Sequence, residues 1–264
     1  MDDPINAAQK KQIQKRIFRP ECVLTSSTAE VLSNANTTQP EPRLTINLSY
    51  YGEYETLLRH LSIWKKASSS LPYITFNIFD DGSDLSLLDK KDEIISFEIN
   101  RLSVYRIIQD IRWNIPGVRN LAICICATNW ILFQDMDQYF SLESLIQLQN
   151  ITSIAQTGIV YTFARSNGKF TAGTMLTRKA DLLKVHLHDE DTVGNYGFND
   201  QLLRGKLFRQ GIVECQLQDI KCEEFKTPLT GNRDTSKNEE KYYSILSNPL
   251  KPANILNFSW IQVL

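Results

Sequence analysis

The sequence predicts an α/β protein built on a mixed, mainly parallel sheet flanked by helices. Two observations carry that prediction. From Leu44 onward, short apolar stretches of strand length alternate with segments whose apolar residues recur at helical spacing, the pattern of βαβ units covered on both faces. Three of those apolar stretches also end in polar clusters: Ser49-Tyr50-Tyr51, Asp80-Asp81-Gly82-Ser83 and Asp135-Met136-Asp137. Parallel strands bring their carboxyl ends to one edge, and ligands of such sheets lie just beyond it. A hydrophobic content of 42% in 264 residues supplies a core for such a domain.

Each element follows from its residues. Residues 1–43 are unlike the rest: Gln9 to Arg19 is rich in Lys, Gln and Arg, and Ser26 to Pro42 in Ser, Thr, Asn and Pro. That composition predicts a polar, mobile extension. Leu44 to Ser49 alternates as a strand. Tyr54 to Ala67 places Leu57, Leu58, Leu61 and Trp64 at helical spacing, and Ser68-Ser69-Ser70 ends it. Tyr73 to Phe79 reads as a second strand closed by a tight turn in which Gly82 takes positive φ. Ile94 to Ile99 reads as a short strand, Arg119 to Thr128 as a helix, and Trp130 to Phe133 as the strand that delivers Asp135. Leu202, Leu203 and Leu207 define a helix that Asn199-Asp200 could N-cap. Gly231 to Lys241 reads as a mobile loop, with Arg233 and Lys237 able to reach an anionic ligand, and Asn254 to Leu264 as an apolar tail. Trp113 and Trp130 are assigned to the core. The division expected is 1–43, then a domain over 44–230 (halves at about 44–140 and 141–230), then 231–264.

Composition excludes several functions. Lys and Arg number 29 against 30 Asp and Glu, so no polyanion-binding surface and no nucleic-acid partner is expected. Five cysteines without metal-ligand spacing argue for a reducing compartment. No apolar run approaches the ~20 residues that span a bilayer. The start of the chain lacks the basic-then-apolar order of a signal peptide. The expectation is a cytoplasmic protein. His186 and His188, two apart, do not share a helix face and do not read as a metal pair.

Taken in order, the motifs resemble a family 2-type glycosyltransferase with the GT-A fold. Leu44 to Tyr51 resembles that family's first strand and turn. Phe76-Asn77-Ile78-Phe79-Asp80-Asp81-Gly82-Ser83-Asp84 resembles its strand-then-DDGS element. Pro116 to Ala122 is similar to its G-x-x-x-A-R-N segment, and Asn129 to Asp137 to the strand that ends in D-x-D. Tyr196-Gly197-Phe198-Asn199-Asp200 resembles its G-F-E-D motif, with Gly211 eleven residues beyond Asp200. The resemblance spans roughly Leu44 to Ile220.

What the resemblance implies is inverting transfer of a sugar from a nucleotide diphosphate donor, UDP- or GDP-linked, to a hydroxyl of a glycan or lipid-linked glycan. It also suggests work at the cytoplasmic side of a membrane, with peripheral association. A hard divalent cation, Mn²⁺ or Mg²⁺, would bridge the donor phosphates on Asp137 with Asp135 nearby. Ser49, Tyr51, Asp80, Asp81, Arg119 and Asp135 would line the donor nucleotide. Arg119 would pair with a phosphate or with the carboxylates that grip the nucleotide. Attack by the acceptor hydroxyl needs a carboxylate base; Asp200 is the first candidate, with Glu190 and Asp191 as rivals.

The chain departs from the family pattern in specific places. Asn199 stands where a Glu is usual, Gln134 and Asn129 replace a Leu and the start of a Gly-Asp pair, and no His follows His188 to complete a metal shell. Two alternatives stay open: a non-catalytic nucleotide-sugar-binding module of this fold, and a nucleotidyltransferase. The second would normally carry a Gly-rich basic phosphate loop, which Ser49-Tyr50-Tyr51-Gly52 does not supply.

Overall fold

The computed structural model describes residues 43–165, 170–226, 233–252 and 254–264. The extension expected at 1–43 therefore lies, Arg43 apart, outside the described residues. Strand β1 (Leu44–Tyr50) leads to helix α1 (Tyr54–Ser68) and β2 (Ile74–Asp80). A short α2 (Lys91–Ile95), β3 (Leu102–Ile107), α3 (Ile115–Ile125) and β4 (Trp130–Gln134) follow. The second half runs β5 (Gln138–Tyr139), α4 (Leu142–Ile151), β6 (Ile159–Arg165), β7 (Phe170–Arg178), α5 (Lys179–Lys184), α6 (Asn199–Arg209), β8 (Val213–Glu224), α7 (Ser236–Ser247) and β9 (Trp260–Gln262).

The nine strands form one mixed sheet in the order β5-β8-β6-β7-β4-β1-β2-β3-β9. Its centre, β3-β2-β1-β4, is parallel throughout, and β7 and β9 join it antiparallel on either side. The chain moves outward from β1 to β2 and β3, then returns to place β4 on the other flank of β1. That reversal opens a crevice at the carboxyl ends of β1 and β4.

Side-chain alternation explains why both faces are covered. On β4, Trp130 and Leu132 enter the core under α1 and α4, while Ile131 and Phe133 enter the core under α3 and α6. Successive strand residues point to opposite faces, so one apolar pentapeptide serves both cores. Polar residues on β1 and β2 are paired: Thr45 meets Thr128 at 2.8 Å, and Asn77 donates to Asn47 at 3.2 Å. Unpaired, each would cost about 1–3 kcal/mol.

Several elements differ from the sequence reading. Ile94 to Ile99, expected as a strand, begins within the single turn α2, in which only Ile94 is buried. Positive φ at Glu98 and Arg101 ends that segment, and the strand beside β2 is Leu102–Ile107 instead. Helix α3 starts at Ile115 rather than Arg119, because Pro116 is tolerated in a first turn. The expected loop over 231–241 becomes α7 from Ser236, whose Asn238, Tyr242, Tyr243 and Leu246 are buried. The apolar tail forms β9 and buries Val263. Phe198, not Asn199 or Asp200, occupies the cap position of α6 and makes no side-chain cap bond, so Asp200 lies in the first helical turn without serving as its cap.

Candidate active site

The crevice is built at three strand ends. At the end of β2, Asp80 is fully buried and consumed internally: it accepts from the backbone N–H groups of Ser83 and Leu87, at 3.0 Å each, and from the Ser83 hydroxyl at 2.8 Å. Arg106 of β3 closes the set as an ion pair. Asp80 therefore holds the turn rather than facing the crevice. Gly82 completes that turn at φ +69°, where an added Cβ would lie 2.3 Å from the Gln109 carbonyl oxygen; only glycine satisfies both demands.

Asp81 is different. It is 4% exposed and is held by Asn114, whose Nδ2 donates to Oδ1 at 3.0 Å and whose backbone N–H also favours the carboxylate. Burial pushes its carboxyl up to about 8, with Asn114 opposing and the neighbouring Asp80 and Asp110 adding to the rise. A carboxyl that holds its proton more tightly folded than unfolded favours the folded state at low pH. That contribution falls as pH rises from about 4, the unfolded value, to about 8, by at most about 1.4 kcal/mol per unit. Urea midpoints measured from pH 5 to 8 are expected to drop more steeply for the native chain than for Asp81→Asn, and parallel curves would contradict the assignment. Tyr51 stands at the rim, half exposed, its hydroxyl donating to Asp110 at 3.1 Å. Ser49 is partly buried at the end of β1.

At the end of β4 the two aspartates part company. Asp135 meets Arg119 of α3, whose Nη2 donates to Asp135 Oδ1 at 2.8 Å and to the Gly173 carbonyl at 3.1 Å. The Nη1 of the same guanidinium pairs with Asp200 Oδ1 of α6. Arg119 is 2% exposed and lies over the Phe133 ring at 5.3 Å. One buried cation thus joins the strand-end aspartate to the carboxylate that opens α6, and its two carboxylates hold it charged against the opposing effect of burial. Burial raises the Asp135 carboxyl, Arg119 pulls it back, and Asp200 and Asp137 push it up again. Gly173 of β7 is required by this packing: a Cβ there would sit 2.2 Å from Asp135 Oδ2.

Among the described residues, Asp137 has no ion-pair partner. Burial raises its carboxyl, with Arg165 and Arg233 opposing and Glu224 reinforcing. Its loop is held from below by His60 of α1, buried and kept neutral by burial that lowers it to about 4. His60 Nε2 lies 2.9 Å from the Met136 carbonyl and Nδ1 3.1 Å from Gln134 Nε2, and the Phe225 N–H donates to the Asp137 carbonyl at 2.8 Å. Among the described residues no three His, Cys, Asp or Glu side chains converge as a preformed metal site.

The rival base candidates are placed elsewhere. Glu190 is 7% exposed and saturated: it accepts from Asn120 Nδ2 at 2.8 Å, the Leu256 and Asn257 N–H groups at 2.9 and 3.2 Å, and Asn257 Nδ2 at 3.1 Å. It ties the C-terminal segment to α3. Asp191 is exposed on the loop before α6, its carbonyl accepting from Lys241.

Sequence reasoning passed over Asn114, His60 and Asn238. Asn238 of α7 places its Nδ2 2.8–3.3 Å from the carbonyls of Thr192, Asn195 and Gly197 and from Asn199 Oδ1, pinning the loop before Asp200. No spacing rule signals such residues, because each acts through a partner more than 30 positions away. Trp113, expected in the core, is instead partly exposed and held at φ +53°, a conformation that costs a bulky residue about 1–3 kcal/mol. Trp130, at 5% exposure, is core as expected.

No family model matches the sequence, and no curated protein matches it. Solved structures do. The 1–349 fragment of S. aureus TarS in complex with UDP-GlcNAc superposes with a TM-score of 0.60 at 15% identity, over 71% of this chain and 60% of that one. The mannosyltransferase PcManGT from Pyrobaculum calidifontis, in complex with GDP-Man and Mn²⁺, gives 0.60 at 13% identity, over 81% and 62%. GalNAc-T7 with UDP, GalNAc and Mn²⁺ gives 0.59 at 14% identity, over 77% and 48%. The chain spans about three fifths or less of the length of these solved chains. With its parallel centre, its crevice beside β1 and these superpositions, the chain has the GT-A fold of glycosyltransferases.

Proposed function

We propose that the chain is an inverting glycosyltransferase that moves a sugar from a nucleoside diphosphate sugar to a hydroxyl of a glycan or lipid-linked glycan. The observation that carries this reading is the Arg119 clamp, which brings Asp135 at the strand-end crevice and Asp200 at the start of α6 onto one guanidinium. A transferase of this class needs a donor-side carboxylate and a base-side carboxylate near one reacting carbon. The clamp supplies both from segments 65 residues apart in sequence.

The roles follow from the geometry. Asp135 Oδ1 is held by Arg119, which orients the carboxylate toward the donor sugar or ribose. Asp200 shares the guanidinium through Oδ1, and Oδ2 is the oxygen that accepts the acceptor's proton. As the acceptor oxygen bonds to the anomeric carbon, the bond to the diphosphate breaks on the opposite side and its electron pair leaves with the phosphate. Asp81 receives the nucleobase. Asn114 holds this carboxyl in place, which orients it toward the base. Uracil and guanine both present a ring N–H to such a group, and UDP is the first nucleotide to test.

The donor set fits a divalent cation of a particular kind. Asp137, which has no ion-pair partner among the described residues, would hold Mn²⁺ or Mg²⁺, hard cations that keep other positions for water and phosphate oxygens. When bound, the ion would neutralise charge on the departing diphosphate. Without a preformed cluster, the cation is expected to bind with the nucleotide and not before it. Thermal shift tests this. Mn²⁺ alone should leave Tm unchanged, UDP should raise it, and UDP with Mn²⁺ should raise it further by mass action. Asp137→Ala should remove only the Mn²⁺ increment. If neither UDP nor GDP stabilises the protein, with or without Mn²⁺, the proposal fails.

A further inference from the structure

We propose that Trp113 and Tyr196 form the acceptor subsite, an aromatic corner that takes a pyranose ring of the acceptor glycan beside Asp200, with Arg233 donating to its hydroxyls. The proposal rests on the glycosyltransferase reading and names the chemistry of its acceptor side.

Two loops build the corner. One precedes α3 and carries Trp113; the other precedes α6 and carries Tyr196. They are joined by the Gly194 N–H donating to the Arg112 carbonyl at 3.0 Å, and by the two rings, 4.8 Å apart at 63°. The helices that follow carry Arg119 and Asp200, which are joined in turn. The same pair of segments therefore holds both the aromatic corner and the candidate base.

Neither ring serves the core. Trp113 and Tyr196 are partly exposed and belong to none of the three apolar clusters, unlike the buried Trp64 and Trp130. Trp113 moreover keeps a left-handed backbone, φ +53°, that a large side chain disfavours. A strained backbone that holds a partly exposed indole outside the apolar clusters is not explained by core packing, and such outliers gather where a ligand is held. The second loop is fixed by Asn238, so the corner is set before any ligand arrives. Arg233 lies over Tyr196 at 5.2 Å and donates to its hydroxyl at 3.3 Å. One of its five N–H groups is used there, and among the described residues it makes no ion pair.

An aromatic face bordered by hydrogen-bond donors suits a pyranose, whose ring C–H groups are apolar and whose rim is hydroxylated. The rival occupant is the nucleobase, since Asn114, next to Trp113, contacts Asp81. Tyr196 decides between them: it stands four residues before Asp200, whereas the ring at the Asp81 and Asp110 edge is Tyr51.

The test uses the full chain loaded with UDP and a panel of neutral, N-acetylated and uronate-bearing oligosaccharides, read by saturation-transfer NMR and titration calorimetry. At least one oligosaccharide class should bind. Trp113→Gly, which removes the ring and frees the backbone, should weaken that binding about tenfold or more, the effect of losing an aromatic anchor. It should leave the UDP dissociation constant unchanged and Tm equal or higher. Tyr196→Leu, which keeps apolar bulk, should weaken the sugar likewise and serves if Trp113→Gly does not fold. The proposal is overturned if no oligosaccharide binds the UDP-loaded protein, if either variant leaves sugar binding intact, or if Trp113→Gly weakens UDP instead. Oligosaccharide binding that depends on Trp113 in a protein that ignores UDP would keep the corner and remove the transferase reading.

Discussion

Asp200→Asn is expected to lower sugar transfer by about 10²–10⁴-fold, the usual contribution of a positioned general base, while UDP binding stays near native and Tm falls less than in Arg119→Met because Asp135 still pairs with Arg119. The amide keeps the size of the carboxylate and can still offer its oxygen to Arg119, but it cannot take a proton from the acceptor. Transfer to the best acceptor from the oligosaccharide panel, followed by mass spectrometry with UDP thermal shift run in parallel, measures both halves. Native-like transfer by the variant would remove Asp200 from the chemistry. It would leave the exposed Asp191 as the remaining candidate, because Glu190 already accepts four hydrogen bonds that hold the C-terminal segment.

Arg119→Met is expected to have the largest effect on stability. Removing one partner from a buried ion-paired set leaves its carboxylates uncompensated and costs about 3–5 kcal/mol. Asp135 and Asp200 keep 34% and 23% of their side-chain surface, which places the loss toward the lower end of that range. In a domain of this size the lower end corresponds to a fall in Tm of roughly 6–12 °C. Adding Asp135→Asn and Asp200→Asn should restore part of the loss, because the amides carry no charge that needs Arg119. Calorimetry on the single, double and triple variants reads this non-additivity. Strictly additive losses would mean that Arg119 acts by packing on Phe133 alone.

How much of this was legible in the sequence depends on the kind of residue. The parallel centre is legible, because β1 and β2 carry recurrent apolar residues of strand length, β4 a continuous apolar run and α1 a clean helical spacing. The turn at Gly82 was legible because its chemistry is local. Strand β3 was missed in favour of Ile94 to Ile99, since two adjacent isoleucines look alike in a strand and in a single helical turn, and only packing separates them. The first half of α7, up to Lys241, reads as loop from sequence because its residues are polar and only Asn238 among them is buried. Asp80 and Asp81 are indistinguishable neighbours in the sequence, yet one is spent on Arg106 and its own turn and the other is held by Asn114.

The amino-acid sequence by itself determined the α/β class, the order of the central strands' polar ends and the candidate carboxylates, because strand periodicity and turn chemistry are local and need no partner. The tertiary structure alone decided which carboxylates share a cation, which are saturated, and that Trp113 lies outside the apolar cores on a strained backbone. Those outcomes depend on desolvation and on distances between residues up to 81 positions apart, and neither quantity is written in the order of residues along the chain.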